Sequence, residues 1–247
     1  MNPSEQLTAD LLALGIRPGG IVLVHSSLRS LGARHEPEMV VQALLAALGE
    51  QGTLLMPALS YQSVGPNQPI FDARRTPSCV GGLTEYFRTR AGTIRSLHPT
   101  HSVSGVGARA AEVLAGHEQD ETPCGPHSPF ARLPELKGQI LFLGCGLRPN
   151  TSMHAIEEHV EPPYLYGPVY DYTIVRPDNS EIAMRVRSHN FAGWAQRYDR
   201  IANVMVAGLT SGPLLQATGH LLEAAVMWPA ALAQLRHDPL YFVEPRL

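Results

Sequence analysis

Three continuous apolar runs divide the chain and predict β-strands that are covered on both faces. They lie at residues 21–24, 52–57 and 140–143, and they do not alternate with polar positions as a half-exposed strand would. Such runs are typical of a sheet with helices packed on both sides. Residues 39–48, between the first two runs, predict a helix. The resulting β-α-β unit favours parallel strands joined by a right-handed crossover.

Other segments predict further helices around two less regular stretches. Residues 4–14 predict an amphipathic helix that Ser4 can cap. The remaining predicted helices, apart from one discussed below, cover residues 81–90, 108–115, 191–207 and 217–235. Residues 61–80 predict a long ordered loop, a feature that is often functional in compact domains, and residues 95–107 are expected to be irregular.

The last third of the chain also predicts a hairpin. Its strands lie at 169–175 and 181–186, around the turn formers Pro177-Asp178-Asn179, and a short strand is expected at 240–243. The order of elements predicts an α/β fold in one domain, residues 1–247, with enough chain to bury a sizeable core. In such folds ligands bind beyond the carboxyl ends of the strands.

Composition narrows the classes of function. The net charge of −3, without any basic run, argues against a nucleic-acid partner. No apolar stretch approaches the length of a membrane span, and the first residues do not resemble a secretory signal. Cys79, Cys124 and Cys145 are scattered without CxxC spacing, which predicts neither disulfides nor a cysteine zinc site. A cytoplasmic location is therefore expected.

The most informative stretch lies where the third apolar run ends. A Gly144-Cys145-Gly146 break follows the strand, and a helix is predicted to begin with His154 in its first turn. Asn150 or Thr151 can cap that helix, whose positive end disfavours a charged imidazole. Glu157 lies three residues further on the same face, where it can orient the ring. These features favour His154 as a general base.

Two alternatives for this segment remain open. Zinc hydrolysis would use His154, Glu157, Glu158 and His159. However, the second histidine lies about 140° around the helix from the first, so no metal site is predicted. A Cys145 nucleophile with His154 as its base is sterically conceivable because both follow the same strand.

Six segments, read in order, resemble the aminoglycoside 3-N-acetyltransferase family. They are residues 24–32, residues 52–57, Phe71-Asp72 with Thr76-Pro77, residues 95–99, residues 128–133, and Thr151-Ser152-Met153-His154 with Glu157. The resemblance implies an α/β fold with a mixed central sheet flanked by helices, distinct from the acetyltransferase superfamily that has a phosphate-binding glycine loop. It also implies transfer of an acetyl group from acetyl-CoA to an amine of an aminoglycoside antibiotic.

The resemblance further implies roles for particular residues. His154 matches the catalytic base of the family. The expected acetyl-CoA site is a cleft formed by His25, Ser26, Ser27, Leu28, Arg29 and Ser30 together with Arg95, Ser96, His98 and Ser102. Arg29 and Arg95 are expected to pair with phosphate oxygens. The expected substrate-binding residues are Asp72, Glu158, His189 and Asn190.

One departure from the family pattern affects the acceptor. Many members carry a carboxylate near the position of Asn190, and many also carry acids in the loop that corresponds to residues 61–70, which has none here. A cationic drug is held mainly by acids. The alternative is therefore a CoA-binding homologue with a non-aminoglycoside acceptor or little antibiotic activity. In either case the partner is a small amine, and the protein is expected to be a monomer or homodimer.

Overall fold

The computed structural model describes residues 2–32 and 35–246. Met1, Ala33, Arg34 and Leu247 of the predicted domain lie outside the described residues. The strands of the described part are β1 Ile21–Ser26, β2 Thr53–Pro57, β3 Ile70–Asp72, β4 Ile94–Arg95, β5 Val103–Gly107, β6 Gln139–Leu143, β7 Tyr166–Val175, β8 Glu181–His189, β9 Trp194–Gln196, β10 Leu209–Leu214, β11 Ala217–Glu223 and β12 Val243–Pro245.

Helices cover both faces of the main sheet. They are α1 Pro3–Leu14, α2 Pro37–Leu48, α3 Gly82–Thr89, α4 Ala110–Leu114, α5 Pro129–Arg132, α6 Ser152–Glu158 and α7 Ala224–His237, with 3-10 helices at Leu28–Leu31, His117–Gln119 and Tyr198–Asn203. Asn2, not Ser4, caps α1: its side chain accepts from the amide of Glu5, whose carboxylate in turn accepts from the amide of Asn2.

A seven-stranded mixed sheet forms the centre of the fold. Its order is β10-β11-β6-β1-β2-β5-β4. The β1 strand pairs in parallel with both β2 and β6, whereas the outer pairings are antiparallel. The predicted mixed central sheet flanked by helices is confirmed, as is the parallel pairing of the first two apolar runs.

The continuous apolar runs follow from burial on both faces. Alternate side chains of a strand point to opposite sides. Leu23 of β1 accordingly packs into a core with Phe142 and α7, whereas Val22 and Val24 pack into a second core with α1 and α2. Every residue of β2 and β6 is buried. These strands therefore have no position at which a polar side chain could reach water.

The parallel strands at the centre of the sheet bring His25 and the loop before α6 to the same edge. In the register of β1 and β6, His25 lies opposite Phe142 and Ser26 opposite Leu143. Gly144 follows β6 with a φ of 70°, a left-handed conformation that suits glycine and turns the chain out of the sheet towards α6. His25 and the start of α6 therefore meet beyond the carboxyl ends of neighbouring strands.

A second sheet supplies one wall of this region. It has the order β3-β7-β8, and the predicted hairpin forms its antiparallel β7–β8 pair. The β8 strand ends at His189, opposite Tyr166. The predicted long loop contains the short strand β3 within it.

Three predicted elements were wrong. Residues 95–107 contain the end of β4 and all of β5, residues 217–223 form β11 ahead of α7, and residues 191–207 contain β9 and a 3-10 helix. Gly105 explains the first error. A Cβ at this position would lie 2.7 Å from the Leu55 side chain, so the packing requires glycine. Glycine in turn weakens the apolar pattern from which a strand is predicted. In β11, pairing with β6 overrides the helical spacing of the sequence.

Candidate active site at the carboxyl edge of the sheet

A cavity of about 810 Å³ opens where the predicted ligand edge lies. Its walls include His25 and Ser26 at the end of β1, residues 148–151 in the loop before α6, and His189 at the end of β8. His154 also lines the cavity. The β1 strand, α6 and β8 thus bring together residues that are far apart in the sequence.

The buried carboxylate of Glu157 contacts one ring nitrogen of His154. Oε2 of Glu157 lies 3.1 Å from Nδ1 of His154, and Glu157 has no exposed surface. The Tyr198 hydroxyl donates to the same oxygen at 2.8 Å and lies 2.9 Å from Nδ1 of His154. Tyr164 donates to the other oxygen at 2.8 Å. Because a carboxylate only accepts, Nδ1 carries the proton in the neutral ring and Nε2 keeps its lone pair.

The tyrosines can act only as donors in this arrangement. Burial, followed by the charge of Glu157, raises the pKa of both Tyr164 and Tyr198 well above the usual value. Both hydroxyls therefore remain protonated. Glu157 is fully engaged by three partners and cannot reach a ligand in the cavity.

The predicted cap position of this helix is confirmed, but the predicted capping bond is not made. Thr151 is the N-cap residue of α6, but its side chain makes no capping bond. Asn150 is buried, and its amide nitrogen contacts the sulfur of Met227 at 3.3 Å. The orientation of His154 therefore depends on Glu157 and Tyr198 rather than on a side-chain cap.

Two more histidines face His154 in the cavity. The ring centroids of His101 and His189 lie 5.9 Å and 5.1 Å from that of His154, and 5.3 Å from each other. Burial lowers the pKa of both rings well below the usual value, with smaller contributions from the neighbouring histidines. Nε2 of His189 lies 2.7 Å from Oε1 of Glu158. Both rings are thus neutral.

His25 completes the histidine-rich floor. It is buried and stacks on Phe142 with a centroid distance of 5.2 Å. Burial, and secondarily the nearby His154, lowers the pKa of His25 to about 3. His25 is therefore a neutral polar surface rather than a cation that would bind phosphate.

Comparison with known proteins decides the family. Residues 23–236 match the family model described as aminoglycoside 3-N-acetyltransferase. This chain belongs to that family. It is 34% identical over 253 residues to aminoglycoside N(3)-acetyltransferase IV of Salmonella sp, an alignment that covers 97% of this chain and 90% of that protein. The family predicted from the sequence is confirmed, and it is a family of acyltransferases.

Solved structures of the family share the fold. A histidine-to-alanine variant of aminoglycoside acetyltransferase AAC(3)-IVa in complex with a gentamicin matches with a TM-score of 0.82 and 31% identity, covering 98% of this chain and 91% of that one. AAC-IIIb in binary complex with CoASH matches with a TM-score of 0.82 and 26% identity, covering 99% and 98%. No helix within residues 2–32 and 35–246 is long and apolar enough to cross a membrane.

The first half of the predicted acetyl-CoA segment lies at the cavity only in part. His25 and Ser26 line it, whereas Ser27, Leu28, Arg29 and Ser30 continue into the 3-10 helix beyond its wall. Arg29 and Ser30 are exposed, and the Ser30 hydroxyl donates to that of Ser27 at 2.8 Å.

Arg95 and Ser102, from the second half of that segment, do not line the cavity. Arg95 donates to the carbonyls of Thr76 and Ala58, both at 2.6 Å, and to the Ser102 hydroxyl at 2.8 Å. Its guanidinium also lies 4.6 Å from the centre of the Phe71 ring. These contacts use the donors that a phosphate would need, so Arg95 and Ser102 hold loops together rather than line the cavity.

Ser96 and His98 are also interior residues. The Ser96 hydroxyl contacts Nδ1 of His117 at 3.0 Å, and Nδ1 of His98 accepts from the amide of His101 at 3.0 Å. Neither has more than 1% of its surface exposed. Only His101 of residues 95–102 lines the cavity, and it was not among the residues expected to bind a ligand. No local signal distinguishes it, because its partners come from α6 and β8.

Of the predicted substrate-binding residues, too, some line the cavity and others do not. His189 and Asn190 line the cavity, but Asp72 and Glu158 do not. Asp72 accepts from the amides of Arg74 and Arg75, both at 2.9 Å, and so stabilises its own turn. Glu158 is buried beneath His189, and its burial raises its pKa to about 7. Both carboxylates already have partners within the protein, and neither is presented to the cavity.

The alternatives from the sequence find little support. His159 is exposed and its ring packs edge-on against Trp228 at 5.4 Å, outside the cavity. Cys145 does line the cavity, but burial raises the pKa of its thiol to about 12. A thiol that remains protonated at neutral pH is a poor nucleophile.

Proposed function

We propose that this chain transfers an acetyl group from acetyl-CoA directly to an amine of an aminoglycoside, with His154 as the general base. The observation that carries the proposal is the contact of His154 with a buried, fully engaged Glu157 at the end of the sheet. Similarity to a CoASH-bound structure and to a gentamicin-bound structure of the same family supports both substrates.

The geometry suits a proton transfer at Nε2. The neutral amine attacks the thioester carbonyl, and its nitrogen must lose one proton as the C–N bond forms and the C–S bond breaks. Nε2 of His154 accepts that proton, and the resulting imidazolium is stabilised by the Glu157 carboxylate behind Nδ1. The same proton can then pass to the departing thiolate of CoA. The base is thereby regenerated, with the amide and free CoA as products.

Acetyl-CoA binding is assigned to the cationic and polar parts of the cavity. Arg148 and Arg246 are the two arginines that line it among the described residues, and both are exposed. A guanidinium pairs well with phosphate oxygens. Ser26 lines the cavity at the end of β1, with Arg29 beyond it, and we include both in the proposed site.

A specific observation favours a second candidate acceptor. No Asp or Glu among the described residues lines the cavity, although a polycationic drug is usually held by carboxylates. Asn190, the position at which the sequence analysis noted a departure from the family pattern, also lines it. An amine with fewer positive charges fits such walls better. The two candidates share the same base, co-substrate and bond-forming step.

The deciding experiment follows thiol release from acetyl-CoA with a panel of aminoglycosides and simple monoamines, and confirms acetylated products by mass spectrometry. Transfer to aminoglycosides is expected, with a KM that rises as salt is added. Transfer to monoamines alone would select the second candidate. Thermal stabilisation by acetyl-CoA without thiol release to any amine would refute the proposed acetyl transfer.

A further inference from the structure

Three histidines from separate parts of the chain converge on one point of the cavity. One ring nitrogen of each of His101, His154 and His189 lies within 4.8 Å of those of the other two. The residues come from the loop before β5, from α6 and from the end of β8. Acetyl transfer as proposed above uses only one of these rings, so the arrangement needs a further explanation.

Each ring is held through the nitrogen that does not face the cluster. Nδ1 of His154 contacts Glu157 at 3.1 Å, Nε2 of His189 contacts Glu158 at 2.7 Å, and Nδ1 of His101 contacts the Thr100 hydroxyl at 2.9 Å. Histidines that ligate metals are almost always oriented in this way, by a carboxylate or another acceptor on the second nitrogen.

One of the remaining nitrogens has no partner. Nδ1 of His189 is buried and makes no hydrogen bond within the described part of the chain, and only 5% of the His189 side chain is exposed. A buried polar atom without a partner is costly. A ligand at the centre of the three rings would satisfy it.

We infer that His101, His154 and His189 bind a first-row transition-metal dication such as Zn²⁺, with the fourth position open to the cavity. Three imidazoles with one open position form a ligand set that Zn²⁺ uses in catalytic sites. Tetrahedral Zn–N bonds of about 2.1 Å place the nitrogens about 3.4 Å apart, so the rings need to close by up to about 1.4 Å. Mg²⁺ and Ca²⁺ prefer oxygen ligands and fit poorly.

The surroundings favour a dication over a neutral occupant. Glu157 and Glu158 lie directly behind two of the three rings, and both are buried. Carboxylates in this position make the imidazoles better ligands. The expectation from the sequence was that no metal is bound. It was based on His159, which is not one of the three converging residues.

Metal binding and acetyl transfer compete for one atom. Nε2 of His154 cannot accept a proton from an amine while it is coordinated. Zn²⁺ therefore inhibits acetyl transfer, and a chelator restores it. This consequence rests on the proposed function, whereas the metal site itself does not.

The test is a titration of chelator-treated, metal-free protein with Co²⁺, monitored by the visible absorption of four-coordinate Co²⁺. One equivalent is expected to bind, and Zn²⁺ is expected to displace it. His101→Gln and His189→Gln should each weaken binding at least tenfold. Glu158→Gln should weaken it by about 10–100-fold, the usual effect of losing an orienting carboxylate.

The matched control is His127→Gln. His127 is exposed, contacts Asp120 at 2.8 Å and lies outside the cavity, so Co²⁺ binding should not change. Thermal unfolding of each variant verifies its fold. Absence of the four-coordinate spectrum in the wild type, or equal Co²⁺ affinity in the wild type, His101→Gln and His189→Gln, would overturn the site.

Activity is measured separately so that the two proposals can fail independently. Co²⁺ binding without acetyl transfer to any amine would refute the proposed function and support the metal site. Acetyl transfer without Co²⁺ binding would do the reverse. Undiminished transfer at saturating Zn²⁺ would show that the metal does not occupy Nε2 of His154, and would overturn the assignment of that residue as a ligand.

Discussion

At the scale of single residues, the site depends on how one buried carboxylate is used. Glu157 accepts from Tyr198 and Tyr164 and contacts His154, and none of its surface is exposed. Its charge therefore acts on the histidine without being available to a substrate. The sequence predicted the spacing of His154 and Glu157 correctly, but the two tyrosines come from distant segments and carry no local pattern.

The two tyrosines provide a matched pair of variants. Tyr198→Phe and Tyr164→Phe each remove one donor from Glu157, which costs about 1.5–3 kcal/mol of folding stability for a bond to a charged group. Only Tyr198 also contacts His154, at 2.9 Å. We expect similar losses of stability by urea unfolding, but a several-fold lower kcat only for Tyr198→Phe. An equal fall in kcat for both variants would contradict a separate role for Tyr198.

At the scale of elements, Arg95 shows that a family motif can be recognised in the sequence although the contacts of its residues cannot be predicted. The sequence contains the arginine of a cofactor-side segment, and a lone arginine after a loop is usually exposed. Here it lies over Phe71 and donates to carbonyls of two different loops. Those acceptors are backbone atoms, which no sequence motif records.

The apolar strands were predictable because burial on both faces requires their composition. The β5 and β11 strands contain glycines, which interrupt the apolar pattern, and these two strands were therefore not predicted.

Arg95→Ala and Arg29→Ala should therefore change different properties: the first lowers stability, and the second lowers CoA affinity. Arg95→Ala removes a charged donor from two interior carbonyls, of which only that of Ala58 keeps another donor, and should lower the free energy of unfolding by about 3 kcal/mol or more, with little change in CoA affinity under folding conditions. Arg29 is exposed, so Arg29→Ala should leave stability unchanged and weaken CoA binding several-fold at low salt. Urea unfolding and calorimetric titration with CoA measure the two effects. A stable Arg95→Ala variant with weakened CoA binding would reverse this assignment.

At the scale of the whole molecule, buried neutral histidines couple folding to pH. Among the described residues, burial lowers the pKa of His220 and, much further, the pKa values of His25, His98, His101, His117 and His189. For His25 and His117 the folded pKa is about 3, against 6.5 for an ordinary histidine. Because the unfolded chain binds these protons more readily, stability is complete above pH 6.5 and falls as the pH drops towards 3.

The protein should accordingly lose stability in mild acid. Each such histidine contributes a slope of about 1.4 kcal/mol per pH unit below its unfolded pKa. Glu158, with a folded pKa of about 7, and Asp120, whose pKa burial also raises, act in the opposite direction, but they are two groups against the larger number of buried histidines. The urea midpoint is expected to fall steeply between about pH 6.5 and pH 4. A midpoint that stays constant over that range would show that these rings are not neutral and buried in solution.

The most direct test of the central claim is the kcat/KM of acetyl transfer for His154→Gln at saturating acetyl-CoA, with CoA affinity measured on the same sample. A positioned general base contributes about 10²–10⁴-fold. We therefore predict a loss in that range, with CoA binding and thermal stability close to those of the wild type. A variant that binds CoA normally and retains more than about a tenth of the wild-type kcat/KM would contradict the assignment of His154 as the base.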